Sequence, residues 1–461
     1  MASGGPMRWS YCGHAMWLVE ADGLRFVCDP LLGATHHAGV FEVVPRRTID
    51  AGALRPDVLL VSHRHGDHFD VPSLHRLAQL DPDTVVLTPD ALVAWAARAL
   101  GFHDVRETPA GTLLAFEGVS LVTTPSRAPD EWGVMFGVGG VAAWNQVDSV
   151  FTGPDDIREV TQIATRALGA RRLTMAAVRW QPMLEIAAQL GESLAFPYAA
   201  YDRLLHEIAA IDAAWVVPAA AGGSHVGAWA WLDRVVFPLG EARFLADLAR
   251  RVPSSHGLHV RAGDRLRVDG EGVTLTPDAA AEVQQRESDD PRGFAPLSIP
   301  ALVDANPGGH DVAAMQPRVE QWLHTELAPA LAAAWPRLHA GAPLRLAVEV
   351  VWPHGRTERT IVVADHGARV QPGLDPDWDA LDQVAGSLLW EVIEGRRGWG
   401  DVLLAGALRA RSRAYRIETA GLRRLPLGET FLYYALPYDR SHERATRHEV
   451  EQVLAAAANR P

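Results

Sequence analysis

The stretch VSHRHGDHFD, residues 61–70, places three histidines and two aspartates in ten positions, directly after the aliphatic run PDVLLVS at 56–62. That run lacks alternation, the pattern of a strand buried on both faces. On the other side, Asp70 is followed by Val71 and Pro72. An aspartate N-cap with proline in the first turn predicts a helix over VPSLHRLAQL. The cluster therefore lies on a strand-to-helix loop. His63, His65, Asp67 and His68 read H-x-H-x-D-H. Residues two apart in an extended segment point the same way, so His63 and His65 can hold one ion from one side. Asp67 and His68 follow as the chain bends and can face a neighbouring ion. Histidine with carboxylate suits zinc, iron or manganese. The competing reading is a solvated turn rich in histidine by chance; four ligand-type residues at this spacing after a buried strand weigh against it.

Outward from this loop, HAMWLVE, the turn ADG and LRFVCDP predict an early hairpin. TVVLTP predicts a strand, followed by a helix from Asp90, and TLLAFEGVSLVTTP a second hairpin. Strand and helix patterns then alternate from 134 to 220, with GVMFGVGGVAAW as one strand. Sheets flanked by helices follow. Residues 251–310 read as a connection, with a small hairpin in GDRLRVDGEGVTLT and a polar, Pro/Gly-rich tract ESDDPRGFAPLSIPALVDANPGGHD at 287–311. Residues 311–461 read as a smaller α+β domain, with WDALDQVAGSLLWEVIEG as one of its helices. The expected organisation is α/β: a catalytic domain over 1–250, the connection, then this unit.

Composition sets limits on chemistry. The formal net charge of −13 argues against nucleic acid as a partner, since nothing would neutralise a run of phosphates. Only two cysteines occur, Cys12 and Cys28, so metal must be held by histidine and carboxylate. No stretch has the length of a membrane span and the N-terminus lacks signal-peptide character, so a cytoplasmic protein acting on a small molecule is expected.

GHAMWLVEADGLRFVCDPLL at 13–32 followed by RPDVLLVSHRHGDHFD at 55–70 resembles the metallo-β-lactamase fold superfamily, in particular the branch of the L-ascorbate-6-phosphate lactonases and CMP-N-acetylneuraminate hydroxylases. The resemblance covers about residues 8–250. It implies an αββα sandwich with two divalent metal ions, zinc or iron, at the sheet edges. Asp29, before Pro30, matches an aspartate-proline pair of that family; it organises the histidine loop by hydrogen bonding or is simply a turn residue. The family's next histidine falls in VTTPSRAPDEW, where this chain has Ser126 and Arg127. Its absence implies a lost ligand or a recruited one, with His36 and His37 as conceivable substitutes against their reading as exposed loop residues. The family's bridging aspartate falls in VAAWNQVDS, where register points to Gln146 but chemistry to Asp148. The last family histidine matches His225, beyond a glycine turn. The expected ligands are thus His63, His65, Asp67, His68, Asp148 and His225, with Asp67 also catalytic, positioning a water or moving its proton.

Fifteen tryptophans include Trp132, Trp144, Trp180, Trp229 and Trp231 near predicted strand ends, either as walls of a substrate pocket or as core. SLLWEVIEGRRGWGDVLLAGALRARSR weakly resembles sterol-carrier-protein-type domains; a structural or homodimerisation module is the alternative. Three functions remain open: a dinuclear hydrolase of an ester, lactone or phosphate; an iron oxygenase or oxidase; and a non-catalytic binding protein.

Overall fold

The computed structural model describes residues 5–286, 293–296, 298–338 and 342–459. Much of the polar tract expected at 287–311 lies outside them. Two sheets stack face to face. The first has eight strands, ordered Gly272–Thr276, Arg265–Asp269, Met7–Tyr11, Trp17–Ala21, Leu24–Cys28, Val58–Leu60, Val85–Thr88 and Val105–Glu107. The second has seven, from Leu113–Phe116 through Val119–Pro125, Trp132–Val138, Val141–Asn145, Leu173–Arg179 and Trp215–Ala219 to His256–Gly257. Trp9, Trp17, Phe26, Phe136, Met175 and Val217 fill the space between them. Helices Val71–Leu80 and Ala91–Leu100 cover the outer face of the first sheet. Pro154–Ala167, Tyr198–Ile211 and Glu241–Arg251 cover that of the second. This is the αββα layering implied by the resemblance.

The local signals act as expected at the site. Val58–Leu60 is fully buried, and Asp70 accepts from Ser73 N–H to cap the helix that follows. Three other segments differ. GVMFGVGGVAAW is two strands, because Gly139 and Gly140 both take positive φ and turn the chain between Val138 and Val141. The hairpin at 265–276 is formed, but it pairs with Met7–Ser10 and extends the first sheet rather than belonging to a connection. In WDALDQVAGSLLWEVIEG, Ala380–Ala385 is a strand parallel to Leu346–Val351, and only Gly386–Ile393 is helical. Its period-two burial outweighs the helical reading.

The second unit has a five-stranded sheet, ordered Gly367–Pro372, Gly355–Ala364, Leu344–Trp352, Ala380–Ala385 and Leu408–Ser412. Its interior is filled by Trp322, Trp335, Trp352 and Trp399, together with Val40, Phe41, Leu232 and Phe237 from the first unit. The C-terminal helix Tyr438–Ala458 returns to the first unit, where Val450 joins the core beneath Val71–Leu80 and Arg447 lies 4.2 Å above the Trp95 ring. The two units share apolar cores. No helix among the described residues is long and apolar enough to cross a membrane.

Asp382, 1% exposed, accepts hydrogen bonds from Thr430 Oγ1 and Phe431 N–H. Burial pushes its carboxyl up to about 7 despite those bonds. Between the ordinary carboxylate range and pH 7 the unfolded chain releases this proton while the folded chain keeps it, so stability falls as pH rises through that window. Asp382→Asn keeps an oxygen acceptor and removes the buried charge. It is expected to be more stable than wild type at pH 8, by about 1–4 kcal/mol, with a flatter stability profile between pH 4 and 7. Urea unfolding at several pH values measures both.

Candidate metal centre

Asp29 is the hub from which the site is built. Leaving the strand Leu24–Cys28 with φ +43, it accepts Ser62 N–H at Oδ1 (2.8 Å), and Ser62 Oγ–H (3.0 Å) and His68 Nδ1–H (2.9 Å) at Oδ2. These bonds assign the tautomers of two histidines. His68 gives its Nδ1 proton to Asp29, so a neutral His68 carries its lone pair on Nε2. Because the Ser62 hydroxyl donates to Asp29, its oxygen accepts from His63 Nδ1, 2.9 Å away, and His63 Nε2 likewise carries a lone pair. The turn-aspartate reading of Asp29 gives way to the organising one.

His68 Nε2, in a side chain with no exposure, lies 3.3 Å from Asp67 Oδ2 and 3.2 Å from Asp148 Oδ2 and makes no well-formed hydrogen bond. A lone pair facing two carboxylate oxygens requires a positive charge between them: a proton or a metal ion. Burial alone lowers His68, but Asp67 and Asp148 hold it well above the usual histidine range. Asp67 resists burial in turn and stays well below the usual carboxylate range through His68 and His14. His63 and His65 are lowered, chiefly by burial. Ligating atoms of His63, His68 and Asp148, and of His14, Asp67 and His68, lie within 4.8 Å of one another. His63 Nε2 is 2.9 Å from His65 Nδ1. The two groups overlap at His68, whose one Nε2 lone pair serves a single ion, and the histidines and carboxylates gathered around it are donors of the kind that hold divalent zinc or iron.

The structure thus brings together His63, His65, Asp67, His68 and Asp148. Gln146, the alternative to Asp148, is buried with its side-chain oxygen unbonded, outside these groups. His225 is not brought into them. Its Nδ1 lies 2.7 Å from Asp233 Oδ1 and its Nε2 faces Leu404 O at 3.2 Å, beside the second unit rather than the cluster.

Sequence reading missed His14, which lies in the turn after the first strand with its Nε2 2.9 Å from Asp67 Oδ2. Of the two readings of His36 and His37, substitute ligands or exposed loop residues, exposure does not hold: His36 is buried and His37 Nε2 lies 3.7 Å from Asp67 Oδ1. Glu131 was missed as well. Where the family histidine was expected, Ser126 Oγ donates to Glu131 Oε1 (2.8 Å), and Arg127 instead pairs with Asp156 at the surface. Glu131 is buried, and that burial, with the Asp148 charge, raises its carboxyl to about 7. The available signal was an acidic residue placed immediately before the buried strand Trp132–Val138.

The cluster opens onto a cavity of about 850 Å³ between the two units. His37, His65, Asp67 and Asp148 line one wall; Tyr433 and His442 of the second unit line another. The tryptophans proposed as pocket walls are elsewhere, with Trp132, Trp144 and Trp180 in the core.

Residues 8–149 match the family model described as a beta-lactamase superfamily domain. The N-terminal part is metallo-β-lactamase-like. A further domain follows this fold. Among curated relatives, a Mycolicibacterium smegmatis protein provisionally named a Rieske 2Fe-2S iron–sulfur protein is 30% identical over 229 residues, 46% of this chain and 43% of the relative. A metal-dependent hydrolase of Exiguobacterium sp. is 31% identical over 99 residues, 22% of this chain and 39% of the relative. The chain spans less than half the length of these relatives. Among solved structures, CmlA, a diiron beta-hydroxylase from Streptomyces venezuelae, aligns at 19% identity and TM-score 0.40 over 58% of this chain and 55% of that one. An isothiocyanate hydrolase from Delia radicum gut bacteria aligns at 13% identity and TM-score 0.41, over 56% and 98%.

Proposed function

We propose that this chain is a dinuclear metallohydrolase acting on a small ester, lactone or phosphate-type substrate admitted to the cavity between its units. One observation carries the reading: His63, His65, Asp67, His68 and Asp148 converge beside the cavity, with His65, Asp67 and Asp148 on its wall, and Asp29 directs the lone pairs of His63 and His68 inward. Two divalent ions, zinc or iron, bound there supply Lewis acidity and a nucleophile at neutral pH. Asp67, kept ionised, is the group placed to position an attacking water or accept the proton that water loses. The seam with the second unit limits access of bulk water to the site. Relatives named as metal-dependent hydrolases support this reading.

The cluster in the name of the mycobacterial relative does not carry over. A Rieske centre takes two cysteines and two histidines, whereas Cys12 and Cys28 are fully buried in different apolar clusters. Burial pushes the Cys12 thiol up to about 12 and Cys28 well above its ordinary value.

A second reading, an iron enzyme using dioxygen, is favoured by Glu131. A buried carboxylate that feels Asp148, near a position already supplied with two histidines, approaches the two-histidine, one-carboxylate donor set of non-haem iron oxygenases.

Elemental mass spectrometry of protein purified without added metal separates these readings. Near two zinc per chain, with hydrolysis of a chromogenic ester or phosphodiester abolished by a chelator and restored by zinc, is expected for the hydrolase. Near two iron, dioxygen uptake with a reductant and no hydrolysis would replace it with the oxygenase. Protein without stoichiometric metal would leave only a binding role.

A further inference from the structure

We infer that the histidine completing the second metal position is His37, from the turn His36–Gly39, and not His225; this rests on the dinuclear reading above. The His225 ring lies outside both ligand groups. Asp233 Oδ1 accepts both its backbone N–H (2.8 Å) and its Nδ1 (2.7 Å), and Leu404 O faces its Nε2. Phe41 stands between it and the cluster, 4.3 Å from the His225 ring on one side and stacked at 5.2 Å on His36 on the other.

His14, though nearer to Asp67, is excluded by its tautomer. Gly222 N–H donates to His14 Nδ1 at 2.9 Å. A backbone amide can only donate, so Nδ1 carries the lone pair and Nε2 the proton, which goes to Asp67 Oδ2. His14 is a fixed hydrogen-bond donor that orients Asp67, and it has no lone pair left for a metal.

His37 remains. Two ligands about 2.1 Å from a tetrahedral ion lie roughly 3.4 Å apart, close to the 3.7 Å between His37 Nε2 and Asp67 Oδ1 and well beyond the 2.9 Å hydrogen bond made by His14. His37 Nδ1 lies 2.8 Å from His36 Nδ1. One proton is shared between these two nitrogens; a cation on His37 Nε2 requires it to sit on His37, so that His36 accepts at Nδ1 and carries its own proton on the buried Nε2. The turn is also strained: His37 and Ala38 both hold φ +49, a conformation that costs a side-chain-bearing residue energy and persists only where its surroundings enforce it. Arg397 of the second unit contributes to that enforcement by donating to Ala38 O, and the His37 ring lies against Gly66 within the histidine loop.

Metal content tests this directly. Wild type, His37→Ala and His225→Ala are purified identically, checked for folding by circular dichroism and assayed by elemental mass spectrometry. Two, one and two ions per chain are expected. Two in His37→Ala, or one in His225→Ala, overturns the assignment while leaving the dinuclear reading intact; fewer than two in wild type defeats that reading itself. Should His37→Ala fail to fold, wild type loaded with cadmium-113 decides by NMR. Scalar coupling from cadmium to the His37 ring, with none to His14 or His225, is expected; coupling to His225 and none to His37 overturns the proposal.

Discussion

His68→Ala is expected to lower metal content from two ions per chain to one and to abolish any hydrolysis that needs both. With Nδ1–H given to Asp29, the single lone pair of His68 Nε2 serves one ion, and it lies 3.3 Å from Asp67 Oδ2 and 3.2 Å from Asp148 Oδ2. The variant should also be less stable in metal-free form. Removing the imidazole leaves Asp29, Asp67 and Asp148 with uncompensated buried charge, a loss of about 3–5 kcal/mol by comparison with other broken buried pairs. Denaturation of chelated wild type and variant measures that loss, and elemental analysis the metal. Asp29→Asn provides the graded counterpart. Three donors converge on Asp29, and an amide NH2 group in place of one oxygen must oppose one of them. If that donor is His68 Nδ1, the ring relieves the clash by moving its proton to Nε2, which removes the lone pair from the metal side. Metal affinity should fall about 10–100-fold with little change in fold. Retention of two ions by His68→Ala would remove His68 from the ligand set.

Phe41→Ala is expected to cost about 3–5 kcal/mol. Phe41 is 5% exposed and packs in the core that joins the two units. Its ring separates His36 from His225 and lies 6.4 Å from Phe237, so truncation opens a cavity where the seam, the His36–Gly39 turn and the His225 loop meet. Two consequences should appear together. The urea midpoint should fall with both units still unfolding in one transition, since they share apolar cores. Metal affinity should also weaken, because the turn carrying His37 loses its packing. A loss below about 1 kcal/mol would mean that the seam relaxes around the gap and contributes little to stability.

These outcomes depend on features that were unequally legible in the sequence. VSHRHGDHFD was readable because its meaning is local. A buried strand, a short extended segment and an aspartate-capped helix are each specified within a few residues, and together they aim His63, His65, Asp67 and His68 at one place. Asp148 was readable by chemistry, as the nearest anion to the expected bridge. His14 and Glu131 were not, since each comes from another loop and neither lies in a recognisable spacing with the motif, and His37 stood only as a conceivable substitute beside its reading as an exposed loop residue. His225 shows the opposite failure. Its position matched the expected pattern, but Asp233, eight residues on, takes its Nδ1, and Leu404 of the second unit faces its Nε2.

The sequence by itself thus determined that this protein carries a histidine–aspartate loop at the end of a buried strand, in a layered α/β fold too poor in cysteine for a four-cysteine centre. Only the tertiary structure decided which ring nitrogens keep a lone pair and which histidines face the carboxylates. A histidine's identity is written in the chain, but its tautomer and direction are set by the partners that folding brings to its other nitrogen: Asp29 for His68, Gly222 for His14 and Asp233 for His225.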